Sequence, residues 1–481
     1  MRALPVEHEA PSKQLPLGVR VFDSPDCPAD PEVLAVLRDG LLDADLAAPP
    51  VVLPDFYRKP VMEMPSSVAV ATRETIRPTL TSAALNCGMA LAAVHTERPS
   101  DDSVRAFYRD FLTAYPYPPD LRPRLSREEV IRCASEGARI AVDRFDLDPA
   151  ELQRIEENGC LDVERYGGRR RVRSELGEMA IELARLRFGT VGPSTHFVEL
   201  QEVEEVFEPE TAASWGIRAG GVTLQFHGGD GVLNIQLGAR FGRRRAGSRS
   251  LRTVMAVQKP LYQLTTAGSV RQLRQRLRLY FSGGCPPIER RSEEGERLML
   301  ANAMAMNYGF AYRQATYAAL RCLTARNFGA GMHLVIDSPH NTIYEEEVEG
   351  RPAIVHRHNS ARALPPSRLV GHPAWAQTGQ PLLLPGTNRT CSYLCVAGVA
   401  SEDSLHTANH GTGSIISAFV RRGISGPDAA GHKTIRFGYR ERSEHAVSHL
   451  DNQGVDEGLR ILTAAGIVRP VARLRPFAVL T

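Results

Sequence analysis

Lysine is nearly missing from this 481-residue chain: of its 58 basic residues only Lys13, Lys59, Lys259 and Lys433 are lysines. None of the four stands in a KxDG-type loop, so a covalent nucleotide intermediate carried on lysine is not expected. There is no run of about 18 uncharged apolar residues, and the opening MRALPVEHEAPSKQ has no continuous apolar core. Neither a membrane span nor a signal peptide is therefore expected. The eight cysteines, at 27, 87, 133, 160, 285, 322, 391 and 395, form no paired CxxC knuckle and no disulfide framework, which fits a reducing cytoplasmic setting. A GxxxxGK[ST] phosphate loop and internal repeats are also lacking. What remains is ordinary for a globular protein, 43% apolar and 23% charged, which excludes a disordered or fibrous chain.

Acidic residues are absent from Gly231 to Ile288, where eleven Lys and Arg residues stand. Since the whole chain is only +3, the remainder is net acidic. A basic segment on an acidic body suggests a polyanion partner. Guanidinium forks match phosphate oxygens in pairs, so Arg243, Arg244, Arg245 and Arg249 in GRRRAGSRS are the expected RNA-backbone contacts. The competing reading is a solvated helix face, SVRQLRQRLRLYF, beside a flexible arginine loop.

Residues 1–60 read as an irregular, proline-rich segment, and 61–481 as one catalytic domain. Within it 97–188 is mainly helical and 231–288 is the basic segment. Ser126 with Glu129 forms a capping box ahead of an apolar stripe, Asp148-Pro149 opens a second helix that Gly159 closes, and SELGEMAIELARLRF is a third, ending at Gly189. Later the period changes to two, in HFVELQEVEEV and GVTLQFHGG and then in AIVHRH, PLLLP and SYLCVAG. Helices grouped early and strands grouped later argue for an α+β fold.

Four histidines stand at strand ends or in glycine-flanked loops: His196 in GPSTHFVEL, His227 in LQFHGGDG, His340 in IDSPHNTIY and His410 in TANHGTGS. Any one of them alone is more simply a satisfied core residue. With Cys87 in ALNCGMA they make the imidazole and thiolate donor set of a transition-metal site, suited to Zn, Mn or Co.

These segments, in order, resemble the RtcB family of RNA ligases: LNCGMAL, GTVGPSTHFVEL, the FHGG turn, NAMAMNYGFAYRQ, PHN at 339–341, VHRHNSARALP, GQPLLLPGTNRTCSY, HGTG at 410–413 and the terminal LRPFAVL. The resemblance implies an RtcB-like α+β fold, a β-sheet core with surrounding helices and an early helical insertion. It implies a ligase that joins 2′,3′-cyclic phosphate or 3′-phosphate RNA ends to 5′-hydroxyl ends in tRNA splicing or RNA repair. GTP and one or two Mn²⁺ ions would be used, a histidine-GMP intermediate would form on His410, and archease is an implied partner. Metal ligands carried over are Cys87, His196, His227 and His340. Nucleotide contacts carried over are Thr195, Phe197, Glu199, His340, Asn341, Pro385, Gly386, Thr387, Asn388, Ser392, Gly411, Thr412 and Gly413, with Glu199 accepting from the base.

The chain departs from the family pattern at several of these places. Ala84 replaces a metal-binding aspartate, and Thr195 replaces an asparagine. The turn after His227 reads Gly228-Gly229-Asp230-Gly231 without its arginine, and Ser414 replaces the arginine of HGAGR. Thr481 replaces a terminal lysine, and MPDVHxG survives only as Met64-Pro65-Ser66. With Cys87 the sole anionic ligand in the set, one ion held tightly through Cys87, His227 and His340 is expected, with a weaker second site near His196. The alternative is a family member that binds RNA or GTP without ligating.

Overall fold

The computed structural model describes residues 18–113, 125–186, 188–189, 196–229, 231–243, 249–439, 441 and 443–481. A 36-residue helix, Glu293–Phe328, runs through its centre and is buried on all sides along most of its length. Ala, Leu and Met dominate it without a polar stripe, the pattern of a helix surrounded by protein. Ser292 caps its start, three glutamates in the first turn complement the dipole, and Gly329 ends it in the left-handed conformation. Two of its interior amides tie it to neighbouring segments: Asn302 Nδ2 donates to the Ile343 carbonyl at 2.9 Å and Asn307 Nδ2 to the Leu161 carbonyl at 2.9 Å.

Two sheets accompany this helix. The larger places Leu382–Leu384, Ser392–Ala397, Val468–Leu480, Val198–Val206, Gly221–Gly228, Gly88–Glu97 and Met332–Pro339 side by side, with Lys433–Phe437 attached to Val468–Leu480 and His445–Ser448 paired to Lys433–Phe437. The second orders Arg20–Val21, Val51–Tyr57, Ser66–Thr72, Arg351–His358 and Asn341–Val348. Ser66–Thr72 and Gly221–Gly228 are buried at every position. The last strand of the large sheet ends at Pro339 and the edge strand of the second begins at Asn341. His340 is thus the single residue linking the two sheets at this point.

Mixed helices and sheets make the chain α+β, but its strands are not confined to the later half. Val51–Tyr57, Ser66–Thr72 and Gly88–Glu97 precede the helical region. The stretch before residue 60, expected to be irregular, carries the helix Pro31–Gly40, whose Asp30 cap accepts from Glu32 and Val33 with proline at the first turn. The Ser126 and Glu129 capping box is present in both directions. The long helix expected over SELGEMAIELARLRF is instead two, Gly168–Leu176 and Glu178–Leu186, because Gly177 sits between them at φ 75°. Among the described residues no helix is long and apolar enough to cross a membrane.

Candidate metal and nucleotide site

Cys87 stands immediately before Gly88–Glu97, His227 is the penultimate residue of Gly221–Gly228, and His196 lies two residues before Val198–Val206. Register does the rest. Met89 pairs with His227, Gly88 with both Gly228 and Pro339, and Val198 with Phe226. These pairings bring Cys87, His196, His227 and His340 to the same end of four adjacent strands. The His227 N–H donates to the Phe197 carbonyl at 3.0 Å, and the His340 N–H donates to the Cys87 carbonyl at 2.9 Å.

The side chains converge. Cys87 Sγ lies 3.2 Å from His227 Nε2 and 3.8 Å from His196 Nε2. The donor atoms of Cys87, His196 and His227 fall within 4.8 Å of one another, and so do those of His227, His340 and His410. The trio expected to hold the tighter ion, Cys87 with His227 and His340, is not one of these groups. Antiparallel register opposes residue 196 to residue 228 across the sheet, which sets His196 beside Cys87, while His340 turns toward His410. The His340 and His410 rings stack at 3.6 Å between centroids and 16° between planes, and His227 lies 5.3 Å from His410.

Burial holds both stacked imidazoles neutral. It pulls His410 down to about 4, and it pushes His340 well below the usual histidine value, helped by the neighbouring His410 and His227. His340 Nδ1 is buried and has no hydrogen-bond partner. A buried imidazole nitrogen without a protein partner can serve as a ligand to a cation. That nitrogen and the sulfur and imidazole donors beside it fit a transition ion of the Mn, Co or Zn type.

His410 follows Thr407–Asn409, which pairs with Ser360–Arg362, and its N–H donates to the Asn359 carbonyl at 3.1 Å. The turn after it is tied down from both sides. Asn409 Nδ2 donates to the Gly411 carbonyl at 2.6 Å and Thr412 Oγ1 to the Pro385 carbonyl at 2.9 Å. Asp55, half-buried in Val51–Tyr57 with φ at 66°, accepts from the Ser414 N–H at 2.7 Å and from its hydroxyl at 2.5 Å, capping the helix Gly413–Arg421. Burial raises Asp55 to about 6 against these hydrogen bonds. Nothing in the sequence singled Asp55 out; the only signal is an aspartate inside an apolar strand, which needs a donor when buried.

Beside the histidines a pocket is lined by Phe197, Glu199, Gln225, Pro385, Gly386, Thr387, Asn388, Ser392, Val479 and Thr481. Seven of the expected nucleotide contacts line it together. Burial pushes Glu199 up to about 8, although Gln201 Nε2 donates to it at 2.7 Å. The amides expected to meet phosphate are partly engaged, since Gly386 N–H donates to Ser392 Oγ at 3.1 Å and Thr387 N–H to Thr390 Oγ1 at 2.8 Å. Asn341 is also engaged, donating from Nδ2 to the Ala84 carbonyl at 3.3 Å and accepting from the Asn359 N–H at 3.0 Å. Thr195 lies outside the described residues, as does Asp230.

Comparison with known families places the chain. The profile described as tRNA-splicing ligase RtcB matches residues 46–481. The chain belongs to the RtcB family. Its RtcB relatives include the tRNA-splicing ligase RtcB of Archaeoglobus fulgidus, 31% identical over 374 residues that cover 74% of this chain and 71% of the relative. The RNA-splicing ligase RtcB of Mycobacterium tuberculosis is 28% identical over 354 residues, covering 71% and 73%. The Aeropyrum pernix tRNA-splicing ligase RtcB is 25% identical over 419 residues, covering 82% and 79%. The RtcB match begins upstream of the boundary expected at 61.

The basic segment folds as the helices Val232–Arg240, Arg249–Thr265 and Val270–Phe281. Three of its cations are buried and engaged. Arg240 donates to the Glu175 and Leu176 carbonyls, Lys259 to those of Gly242 and Tyr280, and Arg276 to Glu294. Arg243 is exposed, as are Arg252, Arg271, Arg274 and Arg278; Arg244, Arg245 and the Arg249 side chain lie outside the described residues. The same helices expose Val257, Leu261, Leu264, Val270 and Leu277.

Proposed function

We propose that this chain is a GTP- and Mn²⁺-dependent RNA ligase that joins 2′,3′-cyclic phosphate or 3′-phosphate ends to 5′-hydroxyl ends, with His410 as the residue that takes up GMP. The observation that carries this reading is the neutral His410 ring stacked on His340 within reach of His227, near the pocket around Glu199. GTP would supply the guanylyl group, and Mn²⁺ would supply charge neutralisation for the phosphate oxygens. Cys87, His196 and His227 would hold one ion, and His340 would turn its unpartnered Nδ1 toward a second. His410, uncharged at neutral pH, offers a nitrogen lone pair for attack without first losing a proton. The Gly411-Thr412-Gly413 turn, fixed by Asn409, Thr412 and Asp55, keeps the imidazole from swinging away from His340.

Glu199 would accept the guanine N–H groups and release its own proton on doing so. The exposed arginines of the basic segment, led by Arg243, would run along the RNA backbone. An archease-type activator and a cytoplasmic setting complete this reading.

Incubating the protein with α-labelled GTP and Mn²⁺ tests it. An acid-labile, alkali-stable label that disappears in His410→Ala is expected, and absence of label across Mn²⁺, Co²⁺ and Zn²⁺ overturns the proposal. Ala84 in place of a carboxylate favours the second reading, a protein that binds without ligating. That reading requires label to form while ends bearing 2′,3′-cyclic phosphate and 5′-hydroxyl stay unjoined, or His410→Ala to leave RNA affinity and biological effect unchanged.

A further inference from the structure

One guanidinium in the central helix touches the segments that carry three of the metal donors. Arg313 donates from Nη1 to the Asn86 carbonyl at 2.7 Å and the Gly228 carbonyl at 3.3 Å, from Nη2 to Asn86 Oδ1 at 2.7 Å, and from Nε to Asp337 Oδ1 at 2.6 Å. Asn86 precedes Cys87, Gly228 follows His227, and Asp337 lies three residues before His340. Arg313 and Asp337 have no exposed side-chain surface, and Gln314 Nε2 donates to the second Asp337 oxygen at 3.1 Å.

The backbone around the guanidinium is shaped to admit it. Asn86 adopts φ 56° and donates from Nδ2 to the Met306 carbonyl of the same helix. Gly229 adopts φ 104°, and a Cβ there would fall 2.3 Å from Arg313 Nη1; a Cβ at Gly88 would fall 2.9 Å from the same group. Two segments, 86–88 and 228–229, have each given up a side chain or an ordinary dihedral at the point where Arg313 meets them.

A buried ion pair is a poor source of net stability, because desolvation offsets most of the attraction, and an apolar residue could fill the same space. A methionine has no donors to offer, and a lysine is a point charge that cannot span three partners in a fixed plane. We infer that Arg313 is a positioning residue for the metal cluster, setting the separation of Cys87, His227 and His340 by gripping the main chain beside the first two and the Asp337 carboxylate on the strand that leads to His340. The inference rests on the metal reading proposed above. With alanine at position 84, fewer ligands hold the ion, and affinity depends correspondingly more on donors that are already in place.

Cobalt titration of the full-length protein tests this, read by the thiolate-to-cobalt charge-transfer band and the visible d–d bands. Arg313→Lys keeps the charge opposite Asp337 and is expected to weaken Co²⁺ binding about 10-fold or more and to alter the d–d envelope, as loss of a ligand-orienting partner does, while circular dichroism and single-stranded RNA affinity stay unchanged. A folded Arg313→Lys with unaltered Co²⁺ affinity and spectrum overturns the inference. Should Arg313→Lys not fold, Asn86→Gly retains the left-handed backbone while deleting Oδ1, and the same spectral outcomes decide. Cys87→Ser separates the two levels. If it too leaves Co²⁺ binding unchanged, the metal reading fails; if it abolishes binding while the Arg313 and Asn86 variants do not weaken it, only the positioning role fails.

Discussion

Glu199 shows how a single carboxyl couples the pocket to pH. In the free protein burial holds it protonated near neutrality, at about 8 against 4.5 unfolded, so its contribution to stability falls as pH rises from the unfolded value toward 8. Glu199→Gln removes that dependence, and its melting temperature should gain on the parent's between pH 5 and pH 8, as scanning calorimetry at intermediate values would show. A guanine that donates to Glu199 favours the ionised form, so GTP binding near pH 7 should release a proton, measurable by calorimetry in buffers of different ionisation enthalpy. Replacing the charged acceptor by a neutral one should also cut the preference for GTP over ATP by about 10-fold. Gly386 makes a complementary case, since a Cβ there would lie 2.1 Å from the Cys391 carbonyl. Gly386→Ala should distort the pocket and abolish GTP binding, while Co²⁺ binding at Cys87 persists.

At the scale of elements, the basic segment divides into cations that build the fold and cations that face solvent. Arg240 closes the helix Gly168–Leu176 by donating to two of its last carbonyls. Arg240→Ala should cost about 1–3 kcal/mol in urea unfolding, because buried carbonyls lose their donor, and should leave RNA binding alone. Replacing Arg243, Arg244, Arg245 and Arg249 together with glutamine should do the reverse. Each phosphate that an arginine ceases to neutralise flattens the slope of log affinity against log salt by about 0.7 on single strands, so a change of roughly 2 to 3 is expected if most engage RNA. An unchanged slope would mean a solvated arginine loop.

Capping boxes, strand periodicity and the ordered glycine-flanked histidines were legible in the sequence because each depends on near neighbours. The break at Gly177 was not, since glycine within a helical pattern reads equally as a tolerated interior residue. Nor were Asp55 and Arg313. Each is a charge inside an apolar run, and its partners stand more than 200 residues away or on other strands.

In the whole molecule the candidate site draws on both sheets and the central helix, which is why fold and site could not be read separately. Arg313 reaches the large sheet from the helix, and Asp55 holds the His410 loop from the second sheet. The exposed apolar side chains at 257, 261, 264, 270 and 277 have a consequence of a different kind, colloidal rather than catalytic. Arginines surround them without a single intervening acid between 231 and 288, so two copies approaching by this face repel at low ionic strength. Salt shortens that repulsion, to a Debye length of about 3 Å at 1 M, and leaves the apolar attraction intact. The protein should therefore turn cohesive as salt rises, and the high-salt washes that strip nucleic acid from a basic surface should drive it to associate. Light scattering between 0.1 M and 1 M chloride should show this, and Leu261→Gln should suppress it.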